Sequence, residues 1–190
     1  MSRLPPRIQY TEDQMMEAAV EIVRANGFEA LNARSLAKRL GCSTQPIFRQ
    51  FGGMEALKAA VMRRAAQVYN RYVAESKKQK EKPYKQAGLA YIRFAREERN
   101  LFRLLFMRDR QAEALPRIIE DDNMEYILDT VTAATGLSRD QAYAFHLHMW
   151  IFTHGLAAMV ATRYVDFTEE EADSFLYDEY VALLGRYQKQ

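Results

Sequence analysis

Helix-start signatures and glycine stops constrain this chain more than any other feature. Thr11-Glu12-Asp13-Gln14, Ser138-x-x-Gln141 and Thr168-x-x-Glu171 share one form. In each, a hydroxyl side chain can accept from the third helical N–H while the third side chain answers the cap's own N–H. Behind Thr11 the apolar residues Met15, Ala18, Ala19, Ile22 and Val23 recur at helical spacing. Asn26-Gly27, Gly41, Gly52-Gly53 and Gly136 interrupt such patterns, and the five prolines fall near the N-terminus or at breaks. The spacing predicts helices over 11–26, 32–40, 43–51 and 54–78, one from Pro83, and a short one at "NLFRLLFM". Three more are predicted over 116–135, 138–164 and 168–188. No series of alternating strands is present. The expected fold is all-α, with about nine helices and no sheet.

A chain of 190 residues can form one large domain or two small ones. The pattern divides it into a three-helix domain over 1–53, a linking helix over about 54–79 and a helical bundle over 80–190. One cysteine, Cys42, excludes an intrachain disulfide. No apolar run reaches the ~20 residues of a membrane helix, and "MSRLPPRIQY" lacks the apolar core of a secretory signal. A cytoplasmic protein with no membrane partner is expected. The net charge of +2 is unevenly spread: residues 1–80 hold 14 Lys+Arg against 7 Asp+Glu, and residues 81–190 hold 13 against 18. Either the basic end faces a polyanion or these are solvated charges.

Two short helices joined at Gly41 form a helix-turn-helix candidate. Ala37 is small enough for a close crossing, and Leu36, Leu40, Ile47 and Phe51 can share a core. Thr44, Gln45 and Arg49 are then left outside, with Phe48 at the edge. Pro46 in "GCSTQPIFRQF" is costly in a helix interior. With Ser43 as N-cap it becomes the third helical residue, where its missing N–H falls among donors that lack a partner anyway. Ser43 would then cap the N–H of Gln45. Pro46 either shapes the turn or offers an apolar group to a thymine methyl in the major groove.

Residues 18–61 also resemble the N-terminal domain of the TetR family of transcriptional regulators. Gly27-Phe28, Leu36-Ala37, Gly41-Cys42-Ser43, Ile47-Phe48-x-x-Phe51 and Leu57 carry the resemblance. It implies binding to double-stranded DNA. Thr44, Gln45, Pro46 and Arg49 are the candidates for base or groove contact; Gln favours adenine and Arg guanine. Arg34, Ser43, Phe48 and Lys58 are the candidates along the phosphates. Phe48 stands where the family usually has Tyr, so a phosphate-reaching hydroxyl is absent. Met54 stands where Lys commonly opens the fourth helix, and Asn32 replaces Thr. Lys38, Arg39, and Arg3 or Arg7 can compensate.

The remainder is rich in aromatic and Met residues. Such a set makes a core, and with a few polar groups it also suits a hydrophobic pocket. Trp150-Ile151-Phe152-Thr153-His154-Gly155 resembles the Trp-x-x-x-His-Gly element of one TetR C-terminal subfamily, and "YIRFAREERNLFRLLFM" resembles that group's aromatic stretch. The resemblance implies a small hydrophobic effector held by Phe94, Phe102, Phe106, Met124, Tyr143, Trp150 and His154. His146 and His154 lie about 12 Å apart along a helix, too far to share one metal; no metal or cofactor is expected. The family further implies a homodimer through the last two helices, with Phe145, Ile151, Phe175, Leu176, Tyr180 and Leu183 at the interface. Two other readings stay open: a DNA-binding protein without inducer, and an all-helical enzyme. No nucleophile, phosphate loop or metal pair supports the enzyme, and no catalytic residue is expected.

Overall fold

A computed structural model describes residues 10–108 and 123–187. Among these, nine α-helices and one 3₁₀ turn occur and no strand. They are α1 (Glu12–Asn26), α2 (Ala33–Leu40), α3 (Gln45–Phe51), α4 (Met54–Ser76), α5 (Pro83–Glu97), α6 (Arg99–Phe106), α7 (Met124–Thr135), α8 (Arg139–Thr162) and α9 (Glu169–Tyr187), with the 3₁₀ turn at Phe28–Ala30. The predicted start of the seventh helix at Pro116, and Arg3 and Arg7, lie outside the described residues. The chain divides into two compact units, Met1–Gln67 and Val68–Gln190, so the boundary falls inside α4.

The capping boxes form as their sequences predict. Thr11 Oγ1 accepts from Gln14 N while Thr11 N donates to Gln14 Oε1. Ser138 with Gln141 and Thr168 with Glu171 repeat the exchange at α8 and α9. Each satisfies two backbone donors that a helix start otherwise leaves open.

In the first unit, the apolar faces of α1, α2 and α3 close on one another. Val23, Leu36 and Leu57 are fully buried, and Leu31 and Ile47 nearly so. Two points in this unit are set by local backbone geometry. Gly27 takes φ 83 and ψ 168, a positive-φ conformation outside the left-handed helical region, and leads into the 3₁₀ turn. The N-cap of α3 is Thr44, not Ser43. With Thr44 as the cap, Gln45 is the first helical residue, and the N–H that Pro46 lacks belongs to the first turn, where it has no intrahelical partner. Pro46 is thus the second helical residue, earlier and less costly than expected. No side chain caps α3.

In the second unit, α5 lies along α8. Tyr84 Oη pairs with His146 Nδ1 at 3.1 Å, and Tyr91 Oη with His154 Nδ1 at 2.9 Å. Both rungs advance in the same sense on both helices, so α5 and α8 run parallel. Gly88, between the rungs, lets Leu176 of α9 approach: a Cβ there would stand 3.3 Å from Leu176 Cδ1. Just past the end of α4, Lys77 Nζ donates to Asn123 Oδ1 at the start of α7 at 3.0 Å and lies 4.4 Å from the centre of the Tyr126 ring. No described helix is long and apolar enough to cross a membrane.

Candidate nucleic-acid interface

The short helix α3 is aimed by what surrounds it. Asn32 caps α2, its Oδ1 accepting from Arg34 N and Ser35 N at 3.0 Å each, and Asn32 N donates in return to Ser35 Oγ. At the other end Gly41 takes φ 66 and ψ 31, a left-handed conformation. Cys42 N then reaches back to Ala37 O and Gly41 N to Lys38 O, the paired bonds that close a helix sharply. Only a residue free of a Cβ adopts that turn without strain. Thr44 O accepts from Ile47 N and Phe48 N, and α3 begins. Ile47 points inward and is 1% exposed.

With that side fixed, the opposite face of α3 follows from 3.6 residues per turn. Gln45 and Arg49 lie exposed on it, Phe48 flanks it on one side, and half-buried Pro46 and exposed Gln50 flank the other. Thr44 is half-buried at its start. Ser43 and Arg34 are exposed, on the turn and the first turn of α2. Lys58, half-buried on α4, stands 3.6 Å from Glu55 and 5.8 Å from the centre of the Phe28 ring. The exposed polar groups of α3 are hydrogen-bonding side chains of the kinds that read base edges.

Two contacts at this face were not legible. Gln50 Nε2 donates to Glu12 Oε2 at 2.8 Å, tying α3 to the first turn of α1. Tyr10 Oη donates to Leu40 O at the end of α2. Glu12 reads in sequence as support for the α1 dipole, and nothing in the local pattern pairs it with a residue 38 positions away. Arg39, expected to help with phosphates, forms an ion pair with Glu21 at 3.7 Å.

In the second unit, five of the seven expected pocket residues meet. Phe102, Phe106 and Phe94 pack ring to ring with Tyr69 and Tyr91 at centroid separations of 5.1 to 6.4 Å. His154 joins them, stacked on Phe102 at 5.9 Å. Trp150 covers the other side of His154 at 5.1 Å. Tyr143 makes no ring contact with this cluster among the described residues, and Met124 is half-buried at the start of α7. Burial lowers the pKa of His154 and takes that of His146 down to about 4, so both imidazoles are neutral near pH 7. Burial, and secondarily Tyr180, raises that of Tyr84. Among the described residues no cluster of three His, Cys, Asp or Glu could hold a metal ion.

The expected interface residues separate into two groups. Phe145, Leu176 and Leu183 are buried in the chain's own core, Phe145 completely, against Tyr84, Tyr180 and Tyr187. Within a single chain these side chains therefore belong to the core. Tyr180 is half-buried. Ile151 and Phe175 face outward at 56% and 42% exposure. Met159, Tyr177 and Val181 are also exposed.

Comparison with known proteins agrees with this architecture. A family of tetracyclin repressor-like C-terminal domains matches residues 84–182, and the bacterial regulatory proteins of the tetR family match residues 15–61. None of the curated proteins matches the chain. Among solved structures, a TetR-like transcriptional regulator from Rhodococcus sp. RHA1 superposes with a TM-score of 0.67 at 18% identity, covering 98% of this chain and 99% of that one. A protein described as a TetR-family transcriptional regulator from Vibrio parahaemolyticus superposes at 0.58 with 16% identity, covering 90% and 96%. At such identities the structures bear on the fold alone, and it is the two domain matches, on either side of the unit boundary, that show this chain to be a member of the TetR family, with an N-terminal DNA-binding helix-turn-helix.

Proposed function

We propose that the chain is a transcriptional repressor that binds a pseudo-palindromic operator as a homodimer and is released by a small, largely hydrophobic ligand. The observation that carries the DNA half is the division of α3, with Ile47 closed inward and Gln45 and Arg49 open to solvent. An exposed Gln and Arg four residues apart on a buried-backed helix suit adenine and guanine in the major groove. Thr44 and Pro46 border them, and Arg34, Ser43 and Lys58 supply phosphate contacts. The protein acts on DNA in the cytoplasm and has no catalytic role.

The outward apolar residues of α8 and α9 support the homodimer. Ile151 and Met159 lie two turns apart, with Gly155 between them and nothing within 4 Å of where its Cβ would be. A partner helix can come close over such a gap. The ligand half is supported by the aromatic cluster and the polar pair within it, Tyr91 and His154. The complete burial of Phe94 and Phe102 favours a second reading, a DNA-binding regulator with no inducer. A ligand acts only if it binds the DNA-competent and released states unequally.

The test is fluorescence anisotropy on the duplex upstream of the protein's own gene, with a random duplex as control, titrated with salt. A dimer making six to ten phosphate contacts should lose roughly 10³ to 10⁵ in affinity between 50 and 200 mM salt while retaining its preference. Equal weak binding to both duplexes counts against an operator at that position. A panel of hydrophobic compounds added to the specific complex then separates the two readings.

A further inference from the structure

Phe48 is the one large apolar side chain on α3 that faces solvent. It is 45% exposed, whereas Ile47 beside it is 1% exposed. It makes no ring contact with any described residue. At about 100° of helical turn per residue, Phe48 lies about 60° from Gln45 and about 100° from Arg49. It therefore borders the face proposed to read bases, one turn beyond Thr44 and Gln45.

A phenyl ring has no hydroxyl and can neither donate to a phosphate nor accept from one. What it can recognise is apolar surface. The major groove offers one apolar feature on base edges, the C5-methyl group of thymine, and Phe is among the side chains that contact it. Pro46 is the other apolar candidate, but it is half-buried on the opposite flank. We infer that Phe48 is a specificity-determining residue that reads a thymine methyl in each half-site, next to the bases read by Gln45 and Arg49. The inference rests on the DNA-binding reading above.

The test uses the full chain. Selection from a randomised duplex library yields the preferred half-site. Each of its thymines is then replaced, one at a time, by deoxyuridine, which removes the methyl group and leaves the pairing intact. One thymine per half-site should prove sensitive, its replacement weakening wild-type binding by about three- to five-fold, the worth of one buried methyl. F48A should bind the parent duplex more weakly and be indifferent to that replacement. F48L, which keeps apolar bulk, should retain the penalty. Because Phe48 is outside the core, thermal melting of both variants should match the wild type. A wild type indifferent to every deoxyuridine overturns the inference, as does an F48A protein that keeps the penalty, including the case where P46A removes it instead. Failure of the library to enrich any sequence overturns the DNA-binding reading itself.

Discussion

Gln45, Arg49 and Lys58 differ in what their loss should do to DNA binding. The first two lie on the exposed face of α3, while Lys58 sits on α4 beside Glu55 and Phe28. Q45A and R49A should each relax base preference at one position by about 1–3 kcal/mol. K58A should weaken specific and random duplexes alike and reduce the salt slope by about one per half-site. Equal losses on both duplexes for all three variants would remove the assignment. His146 supports a residue-scale prediction about stability. Its folded pKa is depressed to about 4 by burial, against 6.5 for the free side chain. Between these values the unfolded chain binds the extra proton, so stability is full above about pH 6.5 and declines as pH falls toward 4. The depression corresponds to about 3 kcal/mol. H146Q keeps a partner for Tyr84 without the titration. On acidification from pH 7 to 4, wild type should lose about 3 kcal/mol more than H146Q in denaturant unfolding; parallel losses would mean that His146 is hydrated in the native state.

At the scale of elements, the caps make a contrast. Asn32 holds two backbone N–H groups at the start of α2, whereas Thr44 at the start of α3 holds none with its side chain. N32A should cost about 1 kcal/mol, and T44A should stay within about 0.5 kcal/mol. Melting temperatures would show both; a costly T44A would mean that its hydroxyl carries a structural bond. This contrast also marks what sequence could tell. The starts of α1, α8 and α9 were readable because a capping residue and its answering partner lie three positions apart, within one turn. The start of α3 was misplaced by one residue because Ser43 and Thr44 are adjacent and both capping types, and no side-chain capping bond forms at α3 to distinguish them. The 3₁₀ turn over Phe28–Ala30 left no signal, being too short to show a period. The Gln50–Glu12 bond was invisible for the opposite reason, since it joins residues far apart in sequence.

For the whole molecule, the hard question is which apolar face belongs to the chain and which to a second copy. The helices α8 and α9 carry apolar residues on more than one face, so periodicity predicts helices but not what covers each side. That is why the burial of Phe145, Leu176 and Leu183 within one chain, and the exposure of Met159, Tyr177 and Val181, could not be read from the pattern. The remaining candidates divide further. Phe175 packs edge-on against Phe167 at 5.5 Å, so part of its surface is already used. Ile151 and Val181 are about half exposed and make the cleanest probes. The double variant I151E/V181E places a charge on each outward face without entering the core. It should keep the helical content and melting temperature of a folded protomer, yet sediment as a monomer at micromolar concentration. Operator binding should fall by about 10² or more, because the second half-site is no longer held at high effective concentration. L176E, at a site 4% exposed, is the internal control: it should unfold the bundle rather than dissociate it. If the double variant sediments as a dimer, the two copies meet on another surface, and the glycine gap at Gly155 has no partner helix to admit.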